Sequence, residues 1–149
     1  AAVSGDEREG LAVGVRRQAR ELALQMLYQH ELTHSPPEEI QLHFEGWKSA
    51  SHRVCSFADA LLRGTLEHIE EIDRELGRQT AHWRLERLAT VDRNILRLAL
   101  YELLFLPETP HAVVIDEAIE IAKRFGAEES ARFVNGVLDG FVKRKNLAS

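Results

Sequence analysis

Val91, Ile95, Leu96, Leu98, Ala99, Leu100, Leu103 and Leu104 clothe one helix in apolar side chains on nearly every side. A helix of that kind has to be covered from several directions at once, which makes it central and buried. The rest of the chain is therefore expected to be built around it. Thr90 is placed to cap its N-terminus, Asp92 suits the positive end of its dipole, and Pro107 with Pro110 ends it and starts the next helix.

The surrounding segments also read as helices, since apolar spacing follows the helical period nearly everywhere and no run alternates as a half-buried strand should. A first helix fits Arg16 to Leu32, with Ala19, Leu22, Ala23, Met26 and Leu27 on one stripe and Ser35-Pro36-Pro37 as the break. A second fits Pro36 to Ser49, with Ile40, Phe44 and Trp47 at helical intervals. A third fits Arg53 to Leu76, carries Phe57, Leu61, Leu62, Leu66, Ile69 and Ile72, and is expected to stop at Gly77. A short segment around Trp83 and Leu85 follows. Beyond the central helix, Ile115, Ala118, Ile119, Ala122 and Phe125 form an apolar face that Gly126 ends.

The last helix fits Glu128 to Lys145, with Val134, Val137, Leu138 and Phe141 toward the core. Gly136 and Gly140 lie one turn apart on it, each costing about 1 kcal/mol of helix propensity, which a closely approaching helix would explain. The expected class is all-α, with about seven helices. Residues 1–14, with Ser4, Gly5, Gly10 and Gly14, read as a flexible tail, 15–146 as the helical domain and 147–149 as a C-terminal tail.

With 149 residues the chain can bury one real core but is cramped for two full domains. Its 44% hydrophobic content is too high for a disordered chain. A single cysteine, Cys55, excludes an internal disulfide and a thiolate metal cluster and fits a reducing compartment, so a cytoplasmic protein is expected. No apolar stretch approaches the ~20 residues of a membrane span, and the first residues lack the apolar core of a signal peptide.

Function is signalled by charge. Arg16, Arg17 and Arg20 crowd the start of the first expected helix in a chain of net charge -5. Cations in a first turn oppose the helix dipole at roughly 0.3 to 1 kcal/mol each, so their placement reads as a site for a polyanion, most simply a nucleic-acid backbone. A solvated charged face is the competing reading. Lys143, Arg144 and Lys145 favour the dipole at the end of the last helix and read as structural. Tyr28 and Phe133 lie off their apolar stripes, as aromatic contacts for a base or partner or as rim residues of the core.

Catalytic patterns are absent from the sequence: no nucleophile elbow, Walker loop, dinucleotide fingerprint or zincin helix occurs. Neither a catalytic residue nor a cofactor is expected. Glu31 and His34 match half of a di-iron helix pattern, but the second copy, Glu108 to His111, contains Pro110 and sits between helices. No metal is expected, His30 and His34 read as a surface pair, and Cys55 reads as inert.

Three blocks carry a resemblance. They are Arg16-Arg17-Gln18-Ala19-Arg20-Glu21-Leu22-Ala23-Leu24-Gln25-Met26-Leu27-Tyr28-Gln29, then Val91-Asp92-Arg93-Asn94-Ile95-Leu96-Arg97-Leu98-Ala99-Leu100-Tyr101-Glu102-Leu103, then Asp116 to Gly126 with Phe133-Val134-Asn135-Gly136-Val137-Leu138-Asp139. In this order they closely resemble the NusB family of bacterial transcription antitermination proteins.

The resemblance implies a helical fold of two small subdomains and pairing with NusE, the ribosomal small-subunit protein ten. It further implies binding of boxA RNA in nascent ribosomal transcripts within the antitermination complex of RNA polymerase. Arg16, Arg17 and Arg20 would then contact RNA phosphates, with Glu129 and Phe133 matching family positions near the RNA and Tyr28 and Asp92 matching positions at the NusE contact. The division of these last four between RNA and protein stays open. Asp92 and Glu129 also have the simpler role of complementing helix N-termini. Two alternatives stand beside this reading: an accessory domain like that of ribosomal RNA cytosine methyltransferases, for whose methyl-donor domain the chain is short, and a helical scaffold that pairs with itself as a homodimer.

Overall fold

Leu96 and Leu100 are fully buried on α6 (Thr90–Phe105), the helix whose apolar girth makes it central. The computed structural model describes residues 5–80 and 84–147, with side chains from residue 14 onward. Among these it contains α1 (Gly5–Thr33), α2 (Pro37–His43), α3 (Glu45–Ser49), α4 (His52–Glu67), α5 (Ile69–Gln79), a 3-10 turn (Leu85–Arg87), α6, α7 (His111–Phe125) and α8 (Ser130–Lys145), and no strand. The chain divides into two compact units, Ala1–Leu62 and Arg63–Ser149, the boundary falling within α4.

In the first unit α1 packs against α2, and the stripe expected on α1 is buried throughout: Ala19, Leu22, Ala23, Met26 and Leu27 are at most 5% exposed. Ile40 of α2 and Val54, Ala58, Leu61 and Leu62 of α4 are buried in the same unit. Gln41 adds a hydrogen bond from its amide to Asp59 Oδ1 at 2.7 Å. The second expected helix is two, because Phe44 adopts an extended backbone at φ -101°, ψ 111° that no helical turn tolerates. The third is also two. His68, at φ -107°, ψ 19°, separates α4 from α5, and α5 runs through Gly77 to Gln79 rather than stopping there.

The N-terminal expectation needs a larger correction. Helix α1 begins at Gly5, so most of the expected tail 1–14 is helical, while residues 1–4 lie outside the described part. Arg16, Arg17 and Arg20 are therefore well inside a helix, and no dipole penalty attaches to them. Trp83 and the last two residues of the expected C-terminal tail also lie outside the described part, and Leu85 sits in the 3-10 turn.

In the second unit α6 touches α5, α7 and α8. It starts at Thr90 with Ala89 as cap, so Thr90 is the first helical residue and not the capping one. Arg97 ties α6 to α5 by a two-point grip on Asp73, with Nε to Oδ1 at 2.8 Å and Nη2 to Oδ2 at 2.9 Å. On α7 the buried positions are Val114, Glu117, Ala118, Ile121 and Ala122, so the face is turned from the expected one and Ile115, Ile119 and Phe125 lie at its half-buried edge. Gly126 ends α7 as expected, with φ -92° and ψ -176°. A Cβ there would meet Ser130 Cβ at 2.5 Å, and Ser130 Oγ accepts the Ala127 N–H at 2.9 Å.

On α8, Val134, Val137, Leu138 and Phe141 are all buried, as the spacing predicts. The two glycines differ. Gly136 faces open space, whereas a Cβ on Gly140 would collide with the Gln79 amide of α5, whose Oε1 accepts a hydrogen bond from Arg144 Nε at 3.0 Å. A side chain, not a helix backbone, is what comes close.

The basic end of α8 is structural. The buried Glu75 carboxylate receives Arg144 Nη2 at 2.8 Å, Lys145 Nζ at 3.1 Å and Arg78 Nη1 at 3.2 Å, and Lys143 pairs with Asp139 at 2.9 Å. Burial by itself pushes the Glu75 carboxyl up, but the hydrogen bonds and charges of Arg144 and Lys145 outweigh it and hold the group below the ordinary glutamate value. A depressed folded-state pKa contributes stability above the unfolded value of the group and loses it as pH falls through the folded one. Glu75→Gln is therefore expected to cost about 1 to 2 kcal/mol at neutral pH. In urea titrations at pH 7 and pH 3 the gap from the unmodified protein should close at the lower pH, and an equal gap at both would remove the charge from the account.

Candidate nucleic-acid interface

Arg16, Arg17 and Arg20 occupy one stretch of α1 but have different surroundings. Arg16 is exposed, Arg17 half-buried, and Arg20 only 4% exposed. Neither Arg17 nor Arg20 lacks an internal partner. The guanidinium carbon of Arg16 stands 4.6 Å from the centroid of the Phe57 ring on α4, and that of Arg20 stands 5.6 Å from the same centroid. Both distances are within cation–π range.

Tyr28 lies about three helical turns beyond Arg17 on the same side of α1. It is 42% exposed, high for a tyrosine with a whole ring to cover. Leu32, one turn further, is 59% exposed, so the C-terminal half of α1 keeps two large apolar side chains in solvent.

The remaining candidates belong to the second unit. Asp92 is half-buried in the first turn of α6, where its Oδ1 is enclosed without a hydrogen-bond partner among the described residues. Glu129 is exposed and immediately precedes α8; its backbone carbonyl accepts the Phe133 N–H at 3.1 Å, while its side chain makes no capping bond. Phe133 is half-buried, as its position off the apolar stripe predicts.

Phe57 is the residue that sequence reasoning placed elsewhere. Spacing assigns it to the apolar face of its helix, and nothing in that spacing tells that the ring meets arginines from α1. The nearby Cys55 thiol donates to the Trp47 carbonyl at 3.3 Å, and burial raises its pKa. His30 Nδ1 is 2.8 Å from the Ser35 carbonyl, which gives the ring a local role beyond the end of α1. No group of three or more His, Cys, Asp or Glu among the described residues is arranged to hold a metal ion. Among the same residues, no helix is long and apolar enough to cross a membrane.

The NusB family model matches residues 17–143. The transcription antitermination protein NusB of Geobacter sulfurreducens is 48% identical over 130 residues, covering 85% of this chain and 93% of the relative. That of Trichlorobacter lovleyi is 45% identical over 127 residues, covering 85% and 89%. Among solved structures, NusB from T. maritima superposes with a TM-score of 0.78 at 42% identity, covering 86% of this chain and 90% of that one. A crystal structure of the antitermination factors NusB and NusE in complex with dsRNA gives 0.78 at 30% identity, covering 87% and 97%. Matched in sequence from Arg17 on α1 into the basic end of α8, and in fold across both units, the chain belongs to the NusB family.

Proposed function

We infer that this protein is a transcription antitermination factor that binds RNA jointly with NusE, and that its RNA is the boxA element of nascent ribosomal transcripts. One observation carries the reading: the likeness over 87% of the chain to a NusB seen together with NusE and double-stranded RNA. The protein acts by binding, as a cytoplasmic component of the antitermination complex of RNA polymerase, and makes or breaks no bond.

Each candidate then has a physical task. Exposed Arg16 and half-buried Arg17 supply salt-dependent attraction for phosphates, and Arg20 adds its charge from below the surface. Phe133 offers part of a ring to a base, with Glu129 beside the start of the same helix as a hydrogen-bond acceptor. Tyr28 presents an amphipathic ring suited to a protein partner, and half-buried Asp92 contributes negative charge at the start of α6.

A chain of net charge -5 binds RNA weakly by itself, because its overall field opposes the polyanion. NusE is expected to tighten boxA RNA binding by about tenfold, through contacts that turn a local attraction into a specific one. Filter-binding titrations with and without NusE check this. Equal affinity in the two series would reject joint binding.

A further inference from the structure

We propose that Phe57 is a positioning residue of the RNA contact, its ring holding the Arg16 guanidinium in place for a phosphodiester oxygen; this rests on the RNA-binding reading above. Val54, Ala58, Leu61 and Leu62, the near neighbours of Phe57 on α4, are essentially fully buried, whereas Phe57 is only half-buried. The core takes part of the ring. To this ring α1 brings two cations, Arg16 at 4.6 Å and Arg20 at 5.6 Å from the centroid.

The chemistry suits a phosphate contact. A guanidinium over a ring engages it with its face, while its N–H donors lie in its own plane and stay available to an anion. Arginine otherwise loses rotamer freedom when it closes on a ligand, and a side chain already held over a ring loses less. Two like charges over one ring also repel, and the negative face of the ring offsets part of that repulsion until an anion arrives. Buried Arg20 fixes one side of the arrangement, and exposed Arg16 is the member that can reach a ligand.

The test is a double-substitution cycle on the full chain, read by fluorescence anisotropy with labelled boxA RNA in the presence of NusE. Phe57→Leu keeps an apolar side chain but removes the aromatic face, and is expected to weaken binding about fivefold. Phe57→Trp restores the face and should bind within about twofold of the unmodified protein. In an Arg16→Ala background, Phe57→Leu should change affinity by less than about twofold, because its action passes through Arg16.

A merely structural role predicts the same loss with and without Arg16, and that result overturns the proposal, as does unaltered binding by Phe57→Leu. Thermal melts accompany each variant, and Phe57→Met takes the place of leucine in the cycle if the leucine variant is unfolded at the assay temperature. Unaltered binding by Arg16→Ala alone would instead remove Arg16 from the RNA contact. Loss with Arg16→Ala but additivity with Phe57→Leu would leave that contact standing and reject the ring's part in it.

Discussion

Replacing Gly64 with alanine is expected to destabilise the protein by about 3 kcal/mol, lowering its thermal midpoint by roughly 10 °C. In most helices this exchange gains stability, because alanine has the better propensity. Here a Cβ on Gly64 would land on the Tyr101 ring, against Cζ and the hydroxyl oxygen. That ring is not the loose end of a flexible chain. Tyr101 stacks on Phe105 with centroids 5.5 Å apart and on His68 at 6.2 Å, and His68 stacks on Phe105 at 4.0 Å. Moving it aside would unstack three rings where α4 gives way to α5. Gly77→Ala is the internal control, because its Cβ meets nothing within 4 Å, and a gain of about 0.5 to 1 kcal/mol is expected there. Circular dichroism melts of both variants decide the matter. A Gly64→Ala protein as stable as the original would mean that the Tyr101 cluster shifts freely, and a smaller ring-free residue at 101 should recover part of any loss.

Helical periodicity made the stripe of α1, the buried girth of α6 and the inner face of α8 legible because each repeats over several turns and is a local property. What the sequence concealed depends on contacts distant along the chain. The Glu75 carboxylate is satisfied by Arg144, 69 positions away, so a glutamate that reads as surface is buried and the basic run of α8 has its counter-charge. The breaks at Phe44 and His68 carry no proline or glycine, and apolar spacing continues through both. On α7 the buried Glu117 turns the inner face away from the purely apolar one, since periodicity counts charge as outward. The arginine cluster of α1 is visible in the sequence, but the helix dipole does not bear on it, because the helix starts at Gly5, ahead of its apolar pattern. Polar or small residues can extend a helix before its buried face begins.

That correction changes what the arginines are expected to do one by one. Replacing Arg16, Arg17 and Arg20 together with alanine should weaken RNA binding in the presence of NusE about a hundredfold at low salt, about 3 kcal/mol in all and carried mainly by Arg16 and Arg17. The single variants should separate by burial. For a single-stranded RNA each lost phosphate contact lowers the slope of log affinity against log salt by about 0.7, so Arg16→Ala, at the exposed position, should show this change in full. Arg17→Ala should show part of it. Arg20 is 4% exposed and is not without an internal partner, so Arg20→Ala should alter the slope least and the thermal midpoint most. Anisotropy titrations across a range of salt, paired with melts of the same variants, give both quantities. If Arg20→Ala flattened the slope as much as Arg16→Ala while leaving the melt unchanged, the guanidinium would have to emerge to meet RNA, and the buried arrangement around Phe57 would describe only the RNA-free protein. If none of the three changed the slope, the phosphate contacts would lie on other residues, and the α1 cluster would serve the packing of the first unit.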